Sequence, residues 1–287
     1  MTGLCVTGLS HVLPRGEARR EPGCDPTPFL RVRKNRKFMG LQDEMAVVVA
    51  GRALQQAGLS ADLGADTGLY LCSGYIPFEE ADLQQILRWS LDDGRFSMAR
   101  FAAEAVQRAH PLLTFRCLPN MPAFHISVNF ALQGPYVVTY PGAGQLYQAL
   151  ELAAAALLEG WISRALVVGV AHQQNFLVRH HLARLEPPVP PEQVRDAAGC
   201  LVLETETAAS ARGAAALLRL GTLRLEYDPA APELAGDASE GLGAAAPLVY
   251  LSQACAAPQD SPERAEPLYH EVAGRDGLRA RSEWWRG

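Results

Sequence analysis

Six cysteines and seven histidines are the residues of this 287-residue chain best able to make and break bonds. Cys5, Cys24, Cys72, Cys117, Cys200 and Cys255 stand apart, without a CxxC pair. A thiol attacks only as thiolate, which needs a helix N-terminus or a nearby cation. Cys72 closes the apolar run TGLYLC and Cys117 precedes Leu118-Pro119-Asn120, and both read as small packing residues. His11, His110, His125, His172, His180, His181 and His270 show no metal-ligand spacing. No phosphate loop or dinucleotide fingerprint is present, so neither a metal nor a cofactor is implied. Positive charge gathers in Arg31, Arg33, Lys34, Arg36 and Lys37, five cations in seven residues. That segment is either a solvated loop or a docking patch that steers an acidic partner.

The elements that would position these groups follow from composition and periodicity. The chain is 48% hydrophobic and 20% charged, enough for a sizeable core in one large domain or two small ones. A net charge of -5 argues against general nucleic-acid binding. Scattered cysteines and an N-terminus without a signal-peptide pattern suggest a reduced, cytoplasmic protein. The longest nearly apolar stretch, 149–159, is broken by Glu151 and too short to span a bilayer.

The pattern predicts strands at 4–9, 67–72, 136–140, 165–171, 200–203 and 217–226. Helices are expected from 41 to Gly58, over 79–91, 97–109, about 122–131 and 144–159, with a short Ala-rich one before 217. Strands apolar throughout and alternating with helices imply an α/β sheet covered on both faces. Beyond Asp228 the composition turns to Ala, Pro, Gly and Glu. Mostly loose structure is expected there, with one strand at 247–251 and a mobile tail ending in Trp284-Trp285.

Several stretches, read together, carry a family resemblance. Val6-Thr7-Gly8, the segment 35–59 (NRKFMGLQDEMAVVVAGRALQQAGL), 67–78 (TGLYLCSGYIPF), 118–135 (LPNMPAFHISVNFALQGP), 160–169 and 198–204 (AGCLVLE) resemble, in order, the N-terminal half of β-ketoacyl synthases. The resemblance implies a thiolase-like α/β fold, essentially one repeat of the layered αβαβα ketosynthase fold with its C-terminal half truncated. Residues 1–228 would be the ketosynthase-like domain. Residues 229–287 would be a short, partly irregular extension in place of the second repeat.

In that family the nucleophile is a cysteine at a helix N-terminus, on a tight strand-to-helix turn. Counting from Gly134-Pro135 or back from Gly160 puts Ala143 there, and a slip of one or two residues gives only Gly142, Gly144 or Pro141. The family's two histidines and lysine lie in the C-terminal half. After Glu226 this sequence holds one histidine, His270, and no lysine. The resemblance therefore implies no catalytic residue and no enzyme activity by itself. It points to a chain-length-factor subunit, as paired with ketosynthases of type II polyketide systems, among them those making polyenes. The implied partners are a full-length β-ketoacyl synthase, as an obligate heterodimer, and an acyl carrier protein met directly or through that synthase. No nucleic acid or membrane partner is implied.

By ungapped position Leu113 and Cys117 match tunnel-facing residues of the condensing enzymes. Phe115, Phe124, Phe130 and Tyr140 are nearby bulky candidates for gate or interface, or else ordinary core. His125 matches a position that packs near the active-site loop. Two other readings stand beside this one: an atypical active acyltransferase using Cys117 or Cys72, and an acyl-carrier-binding accessory protein.

Overall fold

The computed structural model describes residues 2–15, 21–78, 80–109, 111–228, 239–257, 266–274 and 277–287. Within 2–228 the expected elements are present. They are strands β1 (Leu4–Val12), β2 (Thr67–Ser73), β3 (Tyr136–Thr139), β4 (Arg164–Ala171), β5 (Ala197–Thr205) and β6 (Leu218–Tyr227). Helices α1 (Leu41–Gln56), α2 (Glu80–Ser90), α3 (98–108), α4 (Leu113–Cys117), α5 (Met121–Asn129), α6 (Ala143–Leu158), α7 (Phe176–Leu182) and α8 (Glu206–Ala211) lie between them. Among the described residues between β1 and Leu41 the chain forms only 3-10 turns, among them Arg33–Phe38.

One eight-stranded mixed sheet runs β3-β2-β4-β5-β1-β6 and then two strands from the C-terminal region, β8 (Leu278–Arg286) and β7 (Leu268–Ala273). β2 pairs in parallel with β3 and β4, and the remaining pairs are antiparallel. Period-two alternation splits the side chains between two cores. Leu69, Leu71, Leu166 and Val168 face α1 and α5, while Tyr70, Cys72, Ala165 and Val167 face Leu146, Leu150 and Ala153 of α6. A β-carbon at Gly8 would run into the Ala53 carbonyl, so the glycine of Val6-Thr7-Gly8 is what lets α1 lie so close on β1.

At one end of the sheet Glu204 is fully buried. It accepts hydrogen bonds from Arg164 Nε (3.1 Å), Arg212 Nη2 (2.6 Å) and Thr7 Oγ1 (2.6 Å), tying β1, β4, β5 and the end of α8 together. Burial by itself would raise this carboxyl. The bonds from Arg212, Thr7 and Arg164 more than offset that and hold it below the usual carboxylate range.

The C-terminal region departs from expectation. The strand expected at 247–251 is a helix, α9 (Ala246–Ala256), because Pro247 at its first turn opens an Ala/Leu-rich run of helical propensity. The tail is a strand: Leu278, Ala280, Ser282 and Trp284 alternate inward, and Trp284 is completely buried. These strands extend the sheet and pack on α6. Val272 of β7 and Ala280 of β8 pack on Ala143 and Tyr147 of α6, and the Tyr147 hydroxyl lies 2.6 Å from His270 Nδ1 and 3.0 Å from Ser282 Oγ. The first ten residues of the expected extension, 229–238, lie outside the described residues. Among the described residues no helix is long and apolar enough to cross a membrane.

Candidate functional site

In an open sheet with parallel strands, ligands gather at the strands' carboxyl ends. β2, β3 and β4 end together, and the residues just beyond them line one cavity of about 510 Å³. Its wall includes Gly74, Tyr75, Ala143, Gln173, His181 and Val272.

Ala143 opens α6 directly after the turn that leaves β3. Its N-cap, Gly142, has φ of 109°, a conformation open to glycine and strained for a β-carbon. A side chain at Ala143 therefore stands at a helix N-terminus and at the edge of the cavity, the setting that stabilises a thiolate. It is a methyl group. Gly144 follows with no room for a β-carbon, since Leu278 of β8 sits 2.7 Å from where one would be. The turn thus presents a helix N-terminus to the cavity, with no thiol at Ala143.

Cys72 is the cysteine found against this turn. Its thiol donates to the Gly142 carbonyl at 3.4 Å from the neighbouring strand. Burial pushes it up to about 12, with a hydrogen bond to Thr139 acting weakly the other way. It is a neutral packing thiol at physiological pH. Cys117 lies in α4 and does not line this cavity.

His125 does not line the cavity either. It is buried between α5 and α1, with Nε2 lacking a hydrogen bond and 3.8 Å from the Asp43 carboxylate. Burial lowers it to about 4, against a hydrogen bond to the Phe38 backbone that favours the charged form. It packs neutral.

The tunnel candidates separate. Leu113 and Cys117 come together on a second, apolar cavity of about 450 Å³. Phe115 is 47% exposed and meets Phe38 edge-on, with ring centroids 6.4 Å apart; Phe124 is 52% exposed. Tyr140 is also exposed, edge-on to Tyr75, whose hydroxyl is 3.2 Å from His181 Nε2 at the mouth of the first cavity. Phe130 is core, packed under α1. His110 lies outside the described residues.

The basic segment also divides. Arg31 is committed to Asp62 and to the Asn129 carbonyl, and Arg36 to Asp25 (2.8 Å) and Glu44 (3.2 Å). Arg33, Lys34 and Lys37 are exposed and form no ion pair among the described residues. Sequence reasoning missed Tyr75, Gln173, His181 and Val272. The first two could have been found as residues just past predicted strand ends. His181 and Val272 arrive through elements that carried no such signal.

The chain matches the β-ketoacyl synthase N-terminal domain over residues 6–189. No curated protein matches it in sequence. Among solved structures it resembles a chain of the AntDE:AntF complex, described as a type II polyketide synthase acyl-carrier protein in complex with its ketosynthase bound to the hexaketide. The TM-score is 0.72 at 13% identity, covering 99% of both chains. A β-ketoacyl synthase from Burkholderia phymatum STM815 gives 0.69 at 16% identity, and the ishigamide ketosynthase/chain length factor 0.68 at 16%, each covering 99% of both chains.

Proposed function

The chain belongs to the β-ketoacyl synthase N-terminal domain family, and from that premise we propose that it is a non-catalytic, chain-length-factor-type subunit. It pairs with an active β-ketoacyl synthase and shapes that enzyme's acyl tunnel in type II polyketide assembly, with polyene products favoured by the sequence resemblance. The observation that carries this reading is the methyl group of Ala143 at the first position of α6, where an acyl thioester would need a thiol.

The partner side is supported by exposed apolar residues. β3 is one of the two edge strands of the sheet. Phe115, Leu118, Phe124, Val128, Tyr136 and Tyr140, from β3 and the segments around it, are exposed. Large apolar side chains of this kind suit an interface with another folded chain. Arg33, Lys34 and Lys37 offer the unpaired cations that an acidic carrier protein or partner needs.

The mechanism is steric. A growing chain gains roughly 0.8 kcal/mol for each CH₂ it buries. When it meets a packed wall, further growth costs roughly 1–3 kcal/mol of compression. Leu113 is the wall residue with the best geometry, because it lines an apolar cavity.

The test is reconstitution with the cognate synthase and carrier protein. Leu113→Ala should lengthen the product ladder without abolishing turnover. An unchanged ladder for Leu113→Ala and Phe115→Ala, in a complex that still forms, would remove the chain-length role.

A further inference from the structure

The two faces of the sheet are not covered alike. The core under α1 and α5 takes no side chain from β6, β7 or β8, whereas the cores on the α6 and α9 side take side chains from all three. The outward positions of this three-stranded ribbon are Arg219, Thr222, Arg224 and Glu226 of β6, Arg279, Arg281, Glu283 and Trp285 of β8, and Tyr269 and Glu271 of β7. Every one of them is exposed or half-exposed. At Gly221 the β6 strand bulges, where the register slips opposite Glu283 and Trp284. The Trp285 indole lies over that glycine, with Nε1 2.9 Å from where a β-carbon would stand.

This face is charged, and most of its charge is unmatched within the chain. Arg224 stands directly opposite Arg281 in the ladder, an arrangement that destabilises a sheet. Arg224, Arg279 and Arg281 form no ion pair among the described residues; Arg219 meets Glu206 (3.1 Å), and Glu283 accepts from Thr222 Oγ1 (3.2 Å). The order of the outward residues says what would match them. β8 reads Arg279, Arg281, Glu283, Trp285, and the outward residues of β6 beside them read Glu226, Arg224, Thr222, Arg219. A two-fold axis lying across β8 between Arg281 and Glu283 lays a second copy antiparallel on the first. Arg281 then faces the other copy's Glu283, Arg279 its Trp285, Glu226 its Arg219, Arg224 its Thr222, and Glu271 its Tyr269, each twice by symmetry. No like charges meet, and Arg279 comes to lie over an indole face. Such self-complementarity is what an isologous interface requires.

We propose that the uncovered face of β6, β8 and β7 docks a second copy of this chain, ribbon on ribbon, about that axis. β7 is the edge strand opposite β3. This contact and the pairing with a synthase proposed above therefore use different edges of the sheet, and neither depends on the other. The face is small: the nine residues of β8, at ~3.4 Å each across three strands ~4.8 Å apart, give about 400 Å² per copy. A stable pair buries ~800 Å² per partner. The contact is accordingly weak, reversible and salt-sensitive.

Sedimentation velocity of the full chain, alone and with its synthase, tests it. A reversible monomer–dimer equilibrium is expected for the chain in low salt, and a two-plus-two assembly with the synthase. Raising NaCl from ~50 to ~500 mM should weaken either association ~10-fold or more. Arg281→Glu or Glu283→Arg alone turns two attractive pairs repulsive and should weaken self-association at least ~10-fold. Both changes together re-create those pairs in reverse and should restore it to within ~3-fold. All are surface changes, so circular dichroism should stay as it is. A strictly monomeric chain with a one-plus-one synthase complex overturns the interface. So does self-association that neither reversal weakens, or a double variant no better than its single parents. Failure to bind the synthase, with the charge-swap rescue intact, would instead sink only the function proposed above.

Discussion

The cavity at Ala143 and the apolar cavity at Leu113 and Cys117 differ in what surrounds them. The first is framed by backbone: three strand ends, a positive-φ glycine and the start of a 16-residue helix converge on it. The second is framed by side chains, Ile86 and Phe101 of α2 and α3 and Leu113 and Cys117 of α4 among them. Backbone geometry outlasts the loss of one functional atom, because the sheet and helix that create it are needed for folding. Side-chain walls can be recut residue by residue. The corner at Ala143 is therefore set by the fold itself, whereas the walls at Leu113 are set by individual side chains.

Restoring a thiol is the sharpest way to break that contrast. Ala143→Cys should react with iodoacetamide at neutral pH ~10³-fold or more faster than Cys72, since a thiol at a helix N-terminus ionises near pH ~7 and Cys72 only near 12. Equal labelling rates would mean the corner has lost its electrostatics as well as its nucleophile.

The backbone frame also depends on the C-terminal strands. Trp284→Ala removes a fully buried side chain from the core that includes Leu4, Leu218 and Leu220. It should cost roughly 3–5 kcal/mol in urea titrations. A loss below ~1 kcal/mol would show that β8 is dispensable to the fold.

Acid sharpens the comparison further through two buried titrating groups, His125 and Glu204. His125 is lowered from 6.5 to about 4, so the unfolded chain takes up its proton first. Stability should be full above pH 6.5 and decline as pH falls toward 4, by roughly 3 kcal/mol. His125→Gln should flatten this slope. Glu204 acts lower: its contribution is present above 4.5 and is lost as pH drops through its depressed folded value. The smallest effect is expected at the surface, where Phe124→Ala should change the isolated chain's stability by less than ~0.5 kcal/mol while weakening complex formation with a synthase.

Much of the frame was legible. Runs such as TGLYLC and ALVVGVA are apolar at every position, and only a strand buried on both faces satisfies that. Gly142, Gly144 and Pro141 around Ala143 left the position without a thiol whatever the register. The C-terminal strands were not legible, because their inward positions in LRARSEWWR include Ala280 and Ser282, which carry little hydrophobic signal. Nor could spacing say which gate candidates share a wall. Leu113 and Cys117 do, one helical turn apart, whereas Phe115 between them points outward and Phe130 belongs to the core.

The central claim is that no acyl group is ever held covalently by this chain. Intact-mass spectrometry of the chain and its synthase, each incubated with an acyl thioester alone and then together, tests it most directly. The account predicts one acyl adduct on the synthase and an unmodified mass for this chain in every mixture. A stable acyl mass on this chain alone would contradict it.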